Sequence, residues 1–230
     1  MDFINKKAIP VFWFILLLHC IFIYTGIDDG RFITKLLLLP VLAVYLWASV
    51  KGERSSINSL VYFGLLFSFL GDLILTQPGE IFFLSGMLAF IGTHICNSIN
   101  FYRMQRFTIK GGRAVLQAAV ILLLVTIGVF IVLNPYLGQF QLPILVYMII
   151  ISSMAILATN TVNAPLLKKV TLQCFIPGAA LFVFSDGILA MNKFLYHQPV
   201  FDIAIMLTYG AAQYFLIIGF IRAAALKQRE

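Results

Sequence analysis

Apolar residues follow one another along this chain in runs of about twenty, separated by short polar interruptions. Eight runs can be drawn, over residues 8–25, 32–50, 58–76, 80–102, 114–133, 141–159, 172–193 and 201–222. A helix rises 1.5 Å per residue, so about twenty apolar residues cross a hydrocarbon core of about 30 Å. The pattern predicts an all-α polytopic bundle of eight transmembrane helices, forming one transmembrane domain over residues 1–230. The interruptions carry turn chemistry: Gly26 to Gly30 with two aspartates, Gln77-Pro78-Gly79, Gly111-Gly112, Asn134-Pro135, and Asn163 to Pro165. Each is expected to end a helix or turn the chain. Pro40 and Pro177 fall within or near the starts of runs and are read as kinks used for packing.

Composition agrees with the pattern. Of 230 residues 61% are hydrophobic and 11% charged, where a soluble domain carries roughly a quarter charged residues. Lys6 and Lys7 precede the first run without a small-residue cleavage pattern, so that run is expected to remain as a span. Cys20, Cys96 and Cys174 all lie inside runs, without metal or redox spacing, and are expected to pack.

The net charge of +7 changes the picture only through its distribution. Alternating the runs across a membrane assigns Lys6, Lys7, Lys51, Arg54, Arg103, Arg106, Lys110, Arg113, Lys168, Lys169, Arg222, Lys227 and Arg229 to one side. That is thirteen of sixteen basic residues, leaving Arg31, Lys35 and Lys193 for the other. The positive-inside rule then puts both termini in the cytoplasm. No loop exceeds about a dozen residues, so no separate extramembrane domain and no nucleic-acid surface is expected. The expected location is an integral membrane position, the inner (cytoplasmic) membrane if the source is bacterial.

Candidate chemistry begins with Asp72 in LLFSFLGDLILT, Leu65 to Thr76. A carboxylate near a bilayer centre costs about 2.5–3.5 kcal/mol even on lenient insertion scales, so it is expected to have a use or a partner. Asp186 in ALFVFSDGILA is a second one. SDGILA echoes GDLILT, which hints at two four-helix halves on the strength of six residues. Each aspartate lies about fourteen residues beyond the cytoplasmic start of its run, roughly 21 Å deep, so both are expected at one level in the outer half of the membrane. Two carboxylates at one level in a dry bundle do not readily both ionise, and one proton is expected to be retained between them. Such a pair offers an acid and a base together. Structural roles stand against this reading: each aspartate could cap a kinked helix or accept from neighbouring serines, tyrosines and Lys35.

Other polar residues fall within the runs. Phe83, Gly86, Phe90 and His94 recur at helical spacing, and His94 is expected about 10 Å deeper than the aspartates, within reach of a substrate but not of both carboxylates. Tyr209 and Gln213, one turn apart, share a face. Lys35, near the outer end of its run, falls at the aspartate level unless it snorkels. His19 is read as packing and His197 as solvated. Trp13, Trp47, Tyr102 and Tyr196, near run ends, are read as interface anchors. There is no HxxxH, HExxH or CxxC, so no metal and no cofactor are expected.

Several of these stretches, taken in order, resemble the lysoplasmalogenase-like (YhhN-like) membrane proteins: TKLLLLP (Thr34 to Pro40), LGD in the third run, the strip from Phe83 to His94, GAALFVFSD (Gly178 to Asp186) and YGAAQYFLIIG in the last run. Leu36 stands where that family often has proline, and Asn97 where it often has an aromatic residue. Alkaline ceramidases, more distant relatives, look like zinc hydrolases with several histidines, a ligand set that His19 and His94 alone do not supply. The resemblance implies cleavage of the vinyl ether bond of a lysoplasmalogen, an ether lysophospholipid, to a fatty aldehyde and a glycerophospho-alcohol. In that reading Asp72 and Asp186 are the catalytic pair. Lys35 meets the phosphate, and His94, Tyr209 and Gln213 orient the ether oxygen or water. Partners are then a lysophospholipid or related lipid and the surrounding membrane lipids, with oligomeric state open. Two rivals from other classes are a proton-coupled transporter using the same aspartates and a lipid-binding structural protein. Proton-coupled solute flux into liposomes with no change in lipid head groups would mark the first; a change of affinity or stability on neutralising either aspartate, with no turnover abolished, would mark the second.

Overall fold

The computed structural model describes residues 2–50, 58–106 and 112–227. Lys51, Arg54, Lys110, Gly111 and Arg229 lie outside the described residues, as do the side chains of Lys6 and Lys227. The described residues form helices α1 (Asp2–Thr25), α2 (Asp28–Ser49), α3 (Ser59–Ile74), α4 (Glu80–Met104), α5 (Gly112–Leu137), α6 (Gln141–Asn160), α7 (Ile176–Met191) and α8 (Pro199–Lys227), with no strand among them. Six helical segments are long and apolar enough to cross a membrane; one of them, Gly112–Asn163, contains both α5 and α6, while α3 is a shorter apolar helix.

The punctuation mostly turns the chain where expected. Gly26 at φ +70° and Gly79 at φ +121° adopt backbone that side chains disfavour, which ends α1 and opens α4. Asn58 caps α3 by accepting from the Leu60 amide at 3.2 Å. Asn134-Pro135 departs from expectation, since α5 runs through Pro135 to Leu137 and Gly138, at φ +50°, makes the turn. A left-handed residue redirects the backbone, whereas proline only removes one donor. The seventh run opens differently too. Thr171–Phe175 forms a π turn just before Pro177, and Asn192–Tyr196 forms a second after α7. Proline cannot donate to the preceding turn, and a widened turn accommodates that loss.

Helices adjacent in sequence pack as neighbours except that α4 packs on α6 rather than on α5, and α8 returns to α1, so α1, α2, α3, α4, α6, α7 and α8 close a ring. Helix α5 lies outside it against α6, with apolar side chains such as Leu116, Ile121, Leu124 and Ile131 exposed. That outward face suits lipid, which imposes no penalty on exposed leucine. The α3–α4 approach is tight because Gly71 has no side chain. A Cβ there would lie 2.7 Å from the Phe90 ring.

The connections sort into two ends. At one, the turns α1–α2, α3–α4 and α7–α8 surround one cavity, and Gln139, between α5 and α6, donates to Glu80 of α4 at 2.6 Å. At the other, the Asn160 side chain donates to the Gln105 and Arg106 carbonyls, closing the end of α4. The three cysteines are buried and free, as expected of packing residues.

Candidate active site

The polar residues of the ring interior form two assemblies, one around each intramembrane aspartate. On α3, Asp72 points inward among buried neighbours. The Tyr209 hydroxyl of α8 donates to its Oδ2 at 2.8 Å, and the Lys35 ammonium of α2 stands 3.7 Å from its Oδ1. Both oxygens are thus engaged. One turn along α8 from Tyr209, Gln213 donates to Ser68 Oγ at 2.9 Å, and Ser68 is paired with Thr93 of α4. The shared face of Tyr209 and Gln213 therefore ties α8 to α3 at two levels, the second carried on to α4.

On α7, Asp186 faces α6. The Tyr147 hydroxyl donates to Asp186 Oδ2 at 2.5 Å. His94 Nε2, from α4, lies 3.0 Å from the Tyr147 oxygen and 3.5 Å from Asp186 Oδ2. A tyrosine hydroxyl carries one hydrogen, already given to Asp186, so His94 must present Nε2–H to this group. Its Nδ1 is buried without a hydrogen-bond partner among the described residues. Oδ1 of Asp186 has no hydrogen-bond partner among the described residues, and the side chain is 15% exposed against 5% for Asp72.

His94 thus reaches one carboxylate, Asp186, and not both, although the depth estimate set it about 10 Å below either. That estimate assumed straight α-helices. It also left out side-chain reach, and the Tyr147 hydroxyl of α6 stands between His94 of α4 and Asp186 of α7 and touches both.

Both aspartates, with Lys35, Tyr147 and Tyr209, line one small chamber of about 60 Å³ walled by Phe83, Met87, Phe90 and Met206. His94 and Gln213 do not line it; each supports a residue on its wall or behind it. Above it opens a vestibule of about 770 Å³, lined by Arg31, Lys193, His19, Asn192, Asp202 and the turns of that end. Lys35, Leu75, Phe83, Leu189, Ile205 and Met206 line both, so the cavities adjoin at a neck formed by these residues. Lys35 does not snorkel away: it forms part of the neck. His19, expected simply to pack, is buried with Nδ1 2.8 Å from Thr34 Oγ1, and it also borders the vestibule.

Sequence reading missed Tyr147 and the Arg31–Asp202–Asn192 group. A tyrosine in the middle of an apolar run was the available signal for the first, since a buried phenol usually finds a partner. Arg31 donates to Asp202 Oδ2 at 3.4 Å, and Asn192 donates to Asp202 Oδ1 at 2.8 Å. Nothing local links positions so far apart in the chain. Among the described residues no three His, Cys, Asp or Glu side chains come together as metal ligands. His94 and Asp186 are adjacent, with the Tyr147 hydroxyl bridging them.

Comparison with known proteins gives a consistent picture. The sequence profile of the YhhN family matches residues 30–220. A mouse protein named lysoplasmalogenase TMEM86B is 32% identical over 186 residues, covering 81% of this chain and 73% of that one. A bovine protein named lysoplasmalogenase TMEM86A is 28% identical over 194 residues, covering 80% and 76%. No solved structure gives a significant match.

Proposed function

The chain belongs to the YhhN family, and on that premise we propose that it is a lysoplasmalogenase-type hydrolase, which opens the vinyl ether bond of an alkenyl lysophospholipid with its two intramembrane aspartates. The observation that carries this reading is that Asp72 and Asp186 border the same chamber, each held by a tyrosine hydroxyl, at the foot of an open vestibule. The relatives named lysoplasmalogenase bring the substrate class.

Vinyl ethers hydrolyse by protonation at carbon, and the two carboxyl groups divide that work. Asp186 has one oxygen without a protein partner, and it gives its proton to the alkene carbon beyond the ether carbon. The resulting oxocarbenium ion faces the Asp72 carboxylate, which stabilises it electrostatically. Water adds to the cationic carbon and its proton passes to Asp72. The hemiacetal then collapses: the departing glycerol oxygen takes the proton from Asp72, and the hemiacetal hydroxyl returns one to Asp186. The products are an aldehyde and a glycerophospho-alcohol, and both acids regain their starting states. Paired carboxylates perform the analogous proton traffic in glycoside hydrolysis. Tyr147 and Tyr209 orient the pair, and apolar walls exclude bulk water.

The same reading includes the membrane arrangement, with eight crossings and both termini in the cytoplasm. It is supported by the meeting of alternate turns at the vestibule end, where Arg31, Lys35 and Lys193 also lie.

The test is hydrolysis of an alkenyl lysophospholipid by purified protein in D2O, with the aldehyde trapped at once by borohydride. Protonation at carbon predicts one deuterium on the carbon next to the carbonyl. Asp72→Asn and Asp186→Asn should each lower kcat by about 10²–10⁴-fold. Substantial turnover by both folded variants, or aldehyde without that deuterium, would reject the mechanism.

A further inference from the structure

Charge bias leaves three basic residues on the side opposite the other thirteen, and all three border one vestibule. Two are already matched by acids. Lys35 faces Asp72 at 3.7 Å, and Arg31 is shared between Asp202 at 3.4 Å and Asp28 at 3.8 Å. Lys193 differs. It has no carboxylate within ion-pair distance among the described residues, and its ammonium sits 5.5 Å from the centre of the Phe83 ring. Phe83 lines both the vestibule and the chamber, and its ring packs edge-on against Phe140 and Phe194. The ring therefore holds an exposed, acid-free cation on the vestibule side of a residue that also walls the chamber of the carboxylates.

We propose that Lys193, with Arg31 beside it on the vestibule wall, binds the phosphate of the lipid head group and so seats the reacting bond in the chamber. This rests on the hydrolase reading above and gives that site its head-group specificity. In a lysolipid the phosphate is three glycerol carbons from the ether oxygen, so a bond held between the aspartates leaves the phosphate at or just above the neck. A lysine ammonium suits this task because it is a compact point charge with three donors, free to follow a phosphodiester as it enters. Cation–π contact with Phe83 keeps it near the ring without consuming its donors. Arg31 is held by Asp202, itself fixed by Asn192, and supplies a second, stiffer cation. Asp28 and Asp29 border the same space, so the vestibule as a whole is close to neutral and attraction is local to Lys193 and Arg31.

The experiment compares an alkenyl lysophospholipid with the matching alkenyl glycerol, which lacks the phosphate, in full-length protein. Wild type should prefer the phosphate-bearing substrate, and Lys193→Gln should shrink that preference about ten- to hundredfold, chiefly through KM. Lys193→Arg should retain most of it. Lys168→Gln, an exposed lysine at the other end, is the control expected to leave it unchanged. Binding of the saturated alkyl lysophospholipid and alkyl glycerol, which have no vinyl ether to cleave, is measured in parallel by calorimetry. If no substrate is turned over, the hydrolase reading fails, while the binding preference and its loss in Lys193→Gln still decide the phosphate site. Equal weakening of both ligands, or an unchanged preference in a variant that melts like wild type, would overturn it.

Discussion

The Lys35 ammonium stands 3.7 Å from Asp72 Oδ1 inside the bundle, with the lysine side chain 18% exposed. A lysine near a helix end usually extends toward the interface. Here it turns inward, so the pair is a structural contact as well as a component of the chamber. Removing one member of a buried pair typically costs about 3–5 kcal/mol, because the other charge is left unmatched, while removing both is far cheaper. Lys35→Met should therefore lower thermal stability in detergent, and Lys35→Met with Asp72→Asn should recover most of it. Activity should stay lost in the double variant. Thermal unfolding followed alongside aldehyde release separates the two effects, and a double variant no more stable than the single would contradict this account.

Tyr147 and Tyr209 each give their only hydrogen to an aspartate. Hydrogen bonds to charged groups contribute about 1.5–3 kcal/mol, and in the proposed mechanism Asp72 is ionised at the outset while Asp186 becomes so as its proton leaves. Tyr147→Phe and Tyr209→Phe should each reduce kcat/KM by roughly ten- to a hundredfold, since one such bond is worth that much. Steady-state kinetics on each variant checks this. A loss confined to folded yield, with normal turnover per folded molecule, would reduce the tyrosines to packing residues.

In the proposed mechanism His94 acts through Tyr147, which it touches, since it does not border the chamber. The contact needs a donor at the Nε2 position. His94→Gln can place an amide N–H there, whereas His94→Phe cannot. Glutamine should keep activity within about tenfold of wild type, and phenylalanine should match Tyr147→Phe, in line with loss of one charge-assisted bond. Finding both substitutions equally harmful would show that the ring's shape, not its donor, is what matters.

Glycine positions offer a contrast in packing. At Gly71 an added methyl would meet the Phe90 ring at 2.7 Å, and that ring is edge-on to Tyr209 with centroids 5.9 Å apart. Overpacking of this kind costs about 1–3 kcal/mol. Gly71→Ala should lower both melting temperature and activity, the latter through displacement of Tyr209. At Gly128, on peripheral α5, nothing lies within 4 Å. Gly128→Ala should leave activity intact and stability equal or higher by up to about 1 kcal/mol, the helix-propensity difference. Parallel melting curves of the two variants test the contrast.

Runs of apolar residues determined that this chain is a bundle of membrane-crossing helices, because backbone polar groups in lipid must be satisfied within each segment. The cost of a buried carboxylate singled out Asp72 and Asp186 without reference to any neighbour. Periodicity likewise put Tyr209 and Gln213 on one face. Which groups touch each aspartate was not written locally: Lys35, Tyr209, Tyr147 and His94 come from four helices, and their meeting depends on how the ring closes. The inward turn of Lys35, the meeting of His94 with Asp186, and the adjacency of chamber and vestibule are likewise settled by packing. A helix's own sequence fixes its period and its tolerance of lipid, but the rotation, tilt and depth of one helix against another are minimised over all contacts together. Distances of a few ångströms between side chains remote in sequence, on which proton transfer depends, exist only at that level.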